Sequence, residues 1–157
     1  MNKGNAAIAA IIGTIIAVTI GLLLLQRSKN NPFVDSIEVP CLVPNLPLVM
    51  HTHQNISVEI DGRAKIVPKD IGISSTCERA IHTHEATGEI HVESQIQREY
   101  TLNDFMATWG EPIDRAGETL TMLVDDKPSQ EFGKLVLKDK QEIKLIYTTV
   151  APQPKNL

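Results

Sequence analysis

The sequence predicts an α+β fold, a small and mostly antiparallel sheet with one helix, placed behind an N-terminal transmembrane helix. Three observations predict it: an apolar run near the N-terminus, alternating apolar and polar residues around turn signals, and a capped helical segment followed by more strands. The later strands resemble a β-grasp arrangement, which gives a β-grasp-like second half. A cupredoxin-like β-sandwich is the alternative.

The first element is an apolar run that predicts a membrane anchor. Every residue from Ala6 to Leu25 is apolar, Gly or Thr, and about 20 such residues in a helix span the hydrocarbon core. A cleaved signal peptide is the alternative, with an apolar region of roughly 7–15 residues and a small-x-small cleavage site. The run is longer and ends in Leu25-Gln26-Arg27, which offers no such site. We therefore predict a retained signal anchor over residues 1–27, with the span at 6–25.

The side of the membrane is predicted from the cysteines, because the flanking charges do not decide it. Lys3 stands on one side of the span and Arg27 on the other, so the positive-inside rule gives no orientation. Cys41 and Cys77 both follow the span, and a pair in an exported domain is usually a disulfide. We predict a single-pass protein of the cell membrane whose C-terminal domain is extracytoplasmic. Two thiolate metal ligands are the alternative use of the cysteines.

The rest of the chain divides into three parts. Prolines at 32, 40, 44 and 47 exclude a helix, so residues 28–47 are predicted to be a Pro-rich extended linker. Residues 48–148 form the extracytoplasmic α+β domain. Residues 149–157, with two more prolines, form a flexible tail.

Two hairpins open the domain. The first runs through a strand at 48–60, the turn residues Asp61-Gly62 and a return strand at 63–67. The second covers residues 80–93 around a four-residue turn at 85–88. Both alternate apolar and polar residues, as half-buried strands do.

A helix and further strands complete the domain. Thr101-Leu102-Asn103-Asp104 has the spacing of a capping box, and Gly110 predicts the end of the helix. A strand follows at 119–124. The last hairpin is predicted to pair 134–137 with 142–147.

The histidines are the candidate ligands of a metal ion. Two histidines at i and i+2 on a strand project from the same face, with Cα atoms roughly 6.5–7 Å apart. In the second hairpin the turn length pairs His82 with His91 and His84 with Glu89, which gathers three imidazoles on one face. If the first strand lies beside this hairpin, all five come together. The candidate ligands are His51, His53, His82, His84 and His91.

Copper is the favoured ion and zinc the alternative, because imidazole suits both and the affinity order places Cu²⁺ above Zn²⁺. Glu85, Glu89 and Glu93 are candidate partners that would orient the imidazoles. A solvated strand face, with ordinary surface histidines and carboxylates, is the alternative interpretation of the whole pattern.

Function follows from the anchor and the histidines together. The favoured hypothesis is a membrane-tethered extracytoplasmic metal-binding module that holds or delivers the ion. The alternative is a non-catalytic, single-span accessory subunit of a larger membrane complex, such as a membrane-bound copper enzyme. An enzyme is not predicted, because the sequence has no HExxH motif, nucleophile elbow or glycine-rich phosphate loop. The lipid bilayer is a predicted partner, and nucleic acid is not, because the net charge is −4 and no basic block follows the span.

The motifs also carry a resemblance. The histidine pair at 51–53, Cys77 and the run Ile81-His82-Thr83-His84-Glu85-Ala86-Thr87-Gly88-Glu89-Ile90-His91-Val92-Glu93 are similar to a domain of membrane-anchored proteins of archaea and bacteria. The Thr101–Phe105 and Trp109-Gly110 segments fit the same pattern. The resemblance covers about residues 48–148 and implies a fold unit, with no activity attached to it.

Overall fold

The computed structural model describes residues 38–151, in which one curled, half-barrel sheet dominates. Strand residues account for 40% of the structure and helical residues for 10%, so the predicted α+β class is wrong. The physical reason is the length of the helix: Gly110 and Pro112 end it after eight residues, too few to form a layer of its own. The cupredoxin-like sandwich is also wrong, because the seven strands of the described residues belong to one sheet.

The strands, in chain order, follow the turn signals of the sequence. Within residues 38–151 there is one α-helix, α1, at Leu102–Trp109, and a short 3-10 helix at Phe132–Lys134. Across the sheet the order is β3-β4-β1-β7-β5-β6, and β2 pairs with β1 beside this path. The strands are β1 Met50–Ile60, β2 Arg63–Lys65, β3 Ile81–His82, β4 Glu89–Ser94, β5 Glu118–Val124, β6 Lys127–Ser129 and β7 Glu142–Thr149.

The long strand β1 holds the sheet together. Its first half pairs antiparallel with β4, while its second half pairs parallel with β7 and antiparallel with β2. The β1–β2 hairpin is the predicted one, since Asp61 and Gly62 both have positive φ as a two-residue turn requires. The carboxylate of Asp61 then accepts hydrogen bonds from the backbone N–H and the hydroxyl of Thr149, which ties this turn to the end of β7.

The predicted last hairpin is wrong. Residues 132–134 form the 3-10 helix, and Val136 makes only an isolated bridge to Thr101. The strand β7 lies instead between β1 and β5, and β5 turns back into β6 through Asp125 and Asp126, both with positive φ. The last hairpin of the sheet is therefore β5–β6, closed at Asp125-Asp126, and residues 134–137 do not pair with β7.

The core lies on one side of the curled sheet and is capped by α1. Thr101 and Asp104 form the predicted capping box, and Gly110 ends the helix with φ +80°. Phe105 and Met106 are fully buried against the apolar face of the strands. The polar face of β1 and β4 points the other way, which leaves it free for the histidines.

The membrane prediction concerns residues that the structure does not describe. The predicted span at 6–25 lies outside residues 38–151, as do much of the linker predicted at 28–47 and the end of the tail. Among the described residues, no helix combines the length and apolar character needed to cross a bilayer.

Gly88 and Gly62 together test how closely the turn before β4 packs against β1. Gly88 has φ +87°, and a Cβ there would overlap the backbone carbonyl oxygen of Ile56. Gly62 has a similar φ of +76°, with no heavy atom within 4 Å of its would-be Cβ. The turn before β4 therefore approaches β1 more closely than any residue but glycine allows.

We expect Gly62→Ala to lower the free energy of unfolding by about 1–2 kcal/mol, the cost of a left-handed residue with a side chain. Gly88→Ala should lose a further 1–3 kcal/mol, roughly, because the methyl group also overpacks against Ile56. Urea unfolding of both variants, followed by the fluorescence of Trp109, measures the difference. Equal losses in the two variants would contradict the close approach.

Candidate metal centre

Three neighbouring strands place three histidines in one row across the sheet. In the antiparallel registers, His53 of β1 is directly opposite His91 of β4, and His91 is opposite His82 of β3. His51 is two residues before His53 and faces Glu93 across the same pair of strands. His84 follows two residues after His82, in the turn beyond the end of β3. The predicted pairing of His82 with His91 is correct, whereas β3 ends before His84 can pair with Glu89.

The structure brings all five imidazoles into one continuous chain. The ring centroids of His51 and His53 are 4.8 Å apart, and those of His53 and His91 are 4.5 Å apart. His91 lies 4.7 Å from His84, which lies 4.6 Å from His82. The two HxH segments therefore lie side by side and share His91 as their common neighbour.

The first candidate ligand set, called the inner group here, consists of His82, His84, His91 and Glu93. One ligand atom from each of these residues can be chosen so that all lie within 4.8 Å of one another. Nitrogens around a tetrahedral ion are about 3.3 Å apart, given metal–nitrogen bonds of roughly 2.0–2.1 Å. The group must therefore contract by up to about 1.5 Å on binding, which the more exposed side chains can do by rotation.

His82 is held in the tautomer that a metal ion needs. Its ring is fully buried, and its Nδ1 lies 2.8 Å from the backbone carbonyl oxygen of Arg79. A carbonyl oxygen only accepts, so Nδ1 carries the proton and the lone pair of the neutral ring is on Nε2. That Nε2 is 3.1 Å from Nε2 of His84, close to the spacing of two ligands on one ion.

His91 brings a buried nitrogen that no described residue satisfies. Its Nδ1 is buried without a hydrogen-bond partner among residues 38–151, and the nearest carboxylate oxygen, from Glu93, is 3.7 Å away. An unpartnered buried polar atom costs about 1–3 kcal/mol. A cation coordinated by this ring and by Glu93 would remove that cost.

The second candidate ligand set, the outer group, consists of His51, His53 and His91. One nitrogen from each can be chosen so that all three lie within 4.8 Å of one another. His51 is the most accessible of the three, with 52% of its side chain exposed, and its Nε2 lies 3.3 Å from the carboxylate of Glu93. The backbone of His53 is fixed from the far side by Asp139, whose carboxylate accepts its N–H at 3.0 Å.

The acidic residues around the rings differ from the predicted set. Glu93 belongs to the inner group, and Glu89 lies 3.9 Å from Nε2 of His91, beyond hydrogen-bonding distance. Glu85 is exposed in the turn and belongs to neither group. The residue that the sequence analysis missed is Glu78, whose carboxylate lies 3.3 Å from Nε2 of His82 and 4.0 Å from Nε2 of His84. Its one sequence signal was its position next to Cys77.

The predicted disulfide is confirmed, and it rules out thiolate ligands. Cys41 and Cys77 are bonded with their Cα atoms 5.3 Å apart. The same segment forms a bridge between Cys41 and Arg79, and the Arg79 guanidinium donates to the carbonyl of Val39. The disulfide therefore anchors the segment 77–79, in which the Glu78 carboxylate and the Arg79 carbonyl lie against the ring of His82.

Burial keeps two of the candidate ligands neutral. It lowers the pKa of His82 below its ordinary value of 6.5, although the Arg79 carbonyl and the Glu78 carboxylate act in the opposite direction. Burial also lowers the pKa of His91, and the neighbouring imidazoles, His53 foremost, lower it further. A metal ion binds only the neutral ring, so both residues are ready to coordinate at neutral pH.

Comparison of the chain with protein-family models, with curated proteins and with solved structures found no match. The resemblance stated from the motifs therefore stays a prediction. The arrangement contains two groups of His and Glu residues that could hold a metal ion.

The lowered pKa values predict how the metal-free protein responds to acid. Between the folded pKa and 6.5 the unfolded state binds protons that the folded state does not. The free energy of unfolding should thus fall as the pH falls from about 7 to about 5, and level off below the folded pKa values of His82 and His91. Urea unfolding in the presence of a chelator measures this, and His82→Gln should flatten the dependence. A stability that is unchanged over this range would contradict the prediction.

The disulfide should stabilise both the fold and the metal centre. Cys41 and Cys77 are 36 positions apart in the sequence, so the disulfide closes a long loop. Replacing both cysteines by serine should lower the free energy of unfolding by about 2–4 kcal/mol. Chemical unfolding of the wild type with and without reductant gives the same comparison without mutation. The double serine variant is the control, because reductant should leave its stability unchanged. Equal stability of the oxidised wild type and the variant would contradict the prediction.

Proposed function

We propose that the chain is a membrane-tethered, extracytoplasmic module that binds a metal ion, with copper favoured, and holds or delivers it. The observation that carries the metal proposal is the inner group, in which the Nε2 atoms of His82 and His84 lie 3.1 Å apart beside His91 and Glu93. The lone pair on His82 points to this spot because its other nitrogen is engaged by Arg79.

Copper in the divalent state is favoured by the type of donor. Three imidazoles and a carboxylate suit Cu²⁺ and Zn²⁺, and the general affinity order places Cu²⁺ above Zn²⁺. A soft Cu⁺ site would call for thiolates, and both cysteines are consumed by the disulfide. Zinc is the alternative ion.

The tether and the compartment are supported by two separate features. The apolar run at 6–25 has the length of a membrane anchor. The disulfide is of the kind that persists in oxidising compartments outside the cytoplasm. An exported and anchored domain would meet metal ions at the cell surface, where holding or passing them on is useful.

A second candidate function is that of a non-catalytic accessory subunit in a larger membrane complex, such as a membrane-bound copper enzyme. The observation that favours it is a set of exposed apolar side chains near the start of the described chain, a feature typical of interaction surfaces. Purification in mild detergent tests this, because a lone monomer would contradict it. The exposed residues are Val43, Leu46, Leu48 and Val49, and Ile96 lines the same groove as Val43 and Leu46.

Adjacent residues of one turn offer a matched test of the metal site. Both His84 and Glu85 are exposed, and only His84 belongs to the inner group. We expect the full chain in detergent to bind one Cu²⁺ tighter than about 1 μM, and Zn²⁺ more weakly. His84→Ala should weaken binding at least about tenfold, because a ligand is lost, while Glu85→Ala should bind like the wild type.

Calorimetry with chelator competition gives the affinities, and electron paramagnetic resonance of the Cu²⁺ form gives the donors. Hyperfine coupling to several nitrogens is expected in the wild type, and a changed spectrum in His84→Ala. Wild-type binding weaker than about 1 μM for both ions would end the proposal. An equal loss in His84→Ala and Glu85→Ala would move the site elsewhere.

A further inference from the structure

The inner and outer groups are not two separate sites, because His91 belongs to both. The ring of His91 is 4.5 Å from His53 on one side and 4.7 Å from His84 on the other, measured between centroids. A neutral imidazole offers one lone pair, since its other nitrogen carries the proton. His91 can therefore serve one ion at a time, unless the ring gives up that second proton.

Glu93, like His91, lies close to ligands of both groups. Its Oε1 atom lies 3.3 Å from Nε2 of His51 in the outer group and 3.7 Å from Nδ1 of His91 in the inner group. An ion that moved from one group to the other could remain bound to His91 and Glu93 throughout. Only the remaining ligands, the pair His51 and His53 or the pair His82 and His84, would be exchanged.

The two groups also differ in how deeply their ligands are buried. Each reaches solvent through one exposed ring, since 52% of the His51 side chain and 47% of the His84 side chain are exposed. Only the inner group also contains a fully buried ring, that of His82, and the tautomer of this ring is already set by Arg79. Exposed ligands favour rapid exchange with solvent, and a pre-oriented buried ligand favours retention.

We infer that the five histidines form a two-position relay for one divalent ion, which is taken up at His51, His53 and His91 and retained at His82, His84, His91 and Glu93. This inference rests on the proposed function. It adds the direction of movement and a division of labour: the outer pair governs how fast the ion enters and leaves, and the inner pair governs how tightly it is held. No bond other than metal–ligand bonds forms or breaks, and the oxidation state of the ion is unchanged.

The test compares rates with affinities in the full chain, with Cu²⁺ as the probe. The outer variant, His51→Ala with His53→Ala, should keep the wild-type Kd within about threefold. Its uptake of Cu²⁺ and its transfer of Cu²⁺ to a colorimetric chelator, measured by stopped flow, should both slow by at least about tenfold. The single variant His51→Ala, at an exposed position that disturbs the fold least, should show a smaller slowing. Asn55→Ala, two residues further along the same strand face, is the matched control and should keep wild-type rates.

Stoichiometry and spectra complete the test. The wild type should bind one Cu²⁺, and His84→Ala should still bind one, more weakly, with a different paramagnetic resonance spectrum because the ion then occupies the outer group. Two Cu²⁺ ions bound by the wild type with similar affinity, or unchanged rates in the outer variant, would overturn the relay while leaving a metal-binding protein. A wild type that binds no Cu²⁺ would overturn the proposed function and the relay together.

Discussion

The register between β3, β4 and β1 is the constraint on which the candidate metal centre depends. Side chains alternate between the two faces of a strand, so a slip of one residue would send His91 into the core and Ile90 or Val92 into solvent. The apolar residues of β4 therefore fix the register, and the histidines are aligned as a consequence. Gly88 contributes to this alignment, because it directly precedes β4 and, having no side chain, lets the turn lie against the backbone carbonyl of Ile56. The same packing that stabilises the fold thus sets which imidazoles meet.

Burial of His82 explains how a polar ring can serve both the fold and the chemistry. A buried polar group destabilises a protein unless it is hydrogen-bonded, and the Arg79 carbonyl supplies that bond to Nδ1. Burial disfavours the charged ring, which is why the pKa of His82 lies below its ordinary value. One hydrogen bond therefore satisfies one nitrogen, selects the tautomer and leaves the other nitrogen available. The disulfide between Cys41 and Cys77 holds the segment from which this bond is made.

Local signals were sufficient for the parts of the chain that pair with near neighbours. The hairpin containing His82 and His91, the Asp61-Gly62 turn and the capped helix at Thr101 follow from spacing and turn chemistry within a few residues, and all three are present. The disulfide was also predictable, from a single pair of cysteines in a domain that the sequence predicts to be exported. None of these required knowledge of distant contacts.

The wrong predictions concern segments whose partners are far away in the sequence. The parallel pairing of β1 with β7 joins Asn55 to Glu142, far apart in sequence, and no pattern within either strand names its partner. Because the sequence did not predict that pairing, residues 134–137 were assigned as the partner of β7. The predicted fold class was wrong as well. Glu78 was missed for the same reason, since it reaches His82 only because the disulfide and the bridge at Arg79 bring its segment there.

Two ligands of the candidate centre are held in place and two can move, which suits a protein that releases its ion again. His82 and His91 are set by paired strands and burial, whereas His84 lies in an exposed turn and Glu93 is partly exposed. Ligand atoms up to 4.8 Å apart must close towards about 3.3 Å around an ion, and the two movable ligands can make that movement. A site that closes on its ion selects by donor type more than by rigid geometry. Such a site can also open again, and reversible opening is what a protein that holds and delivers an ion requires.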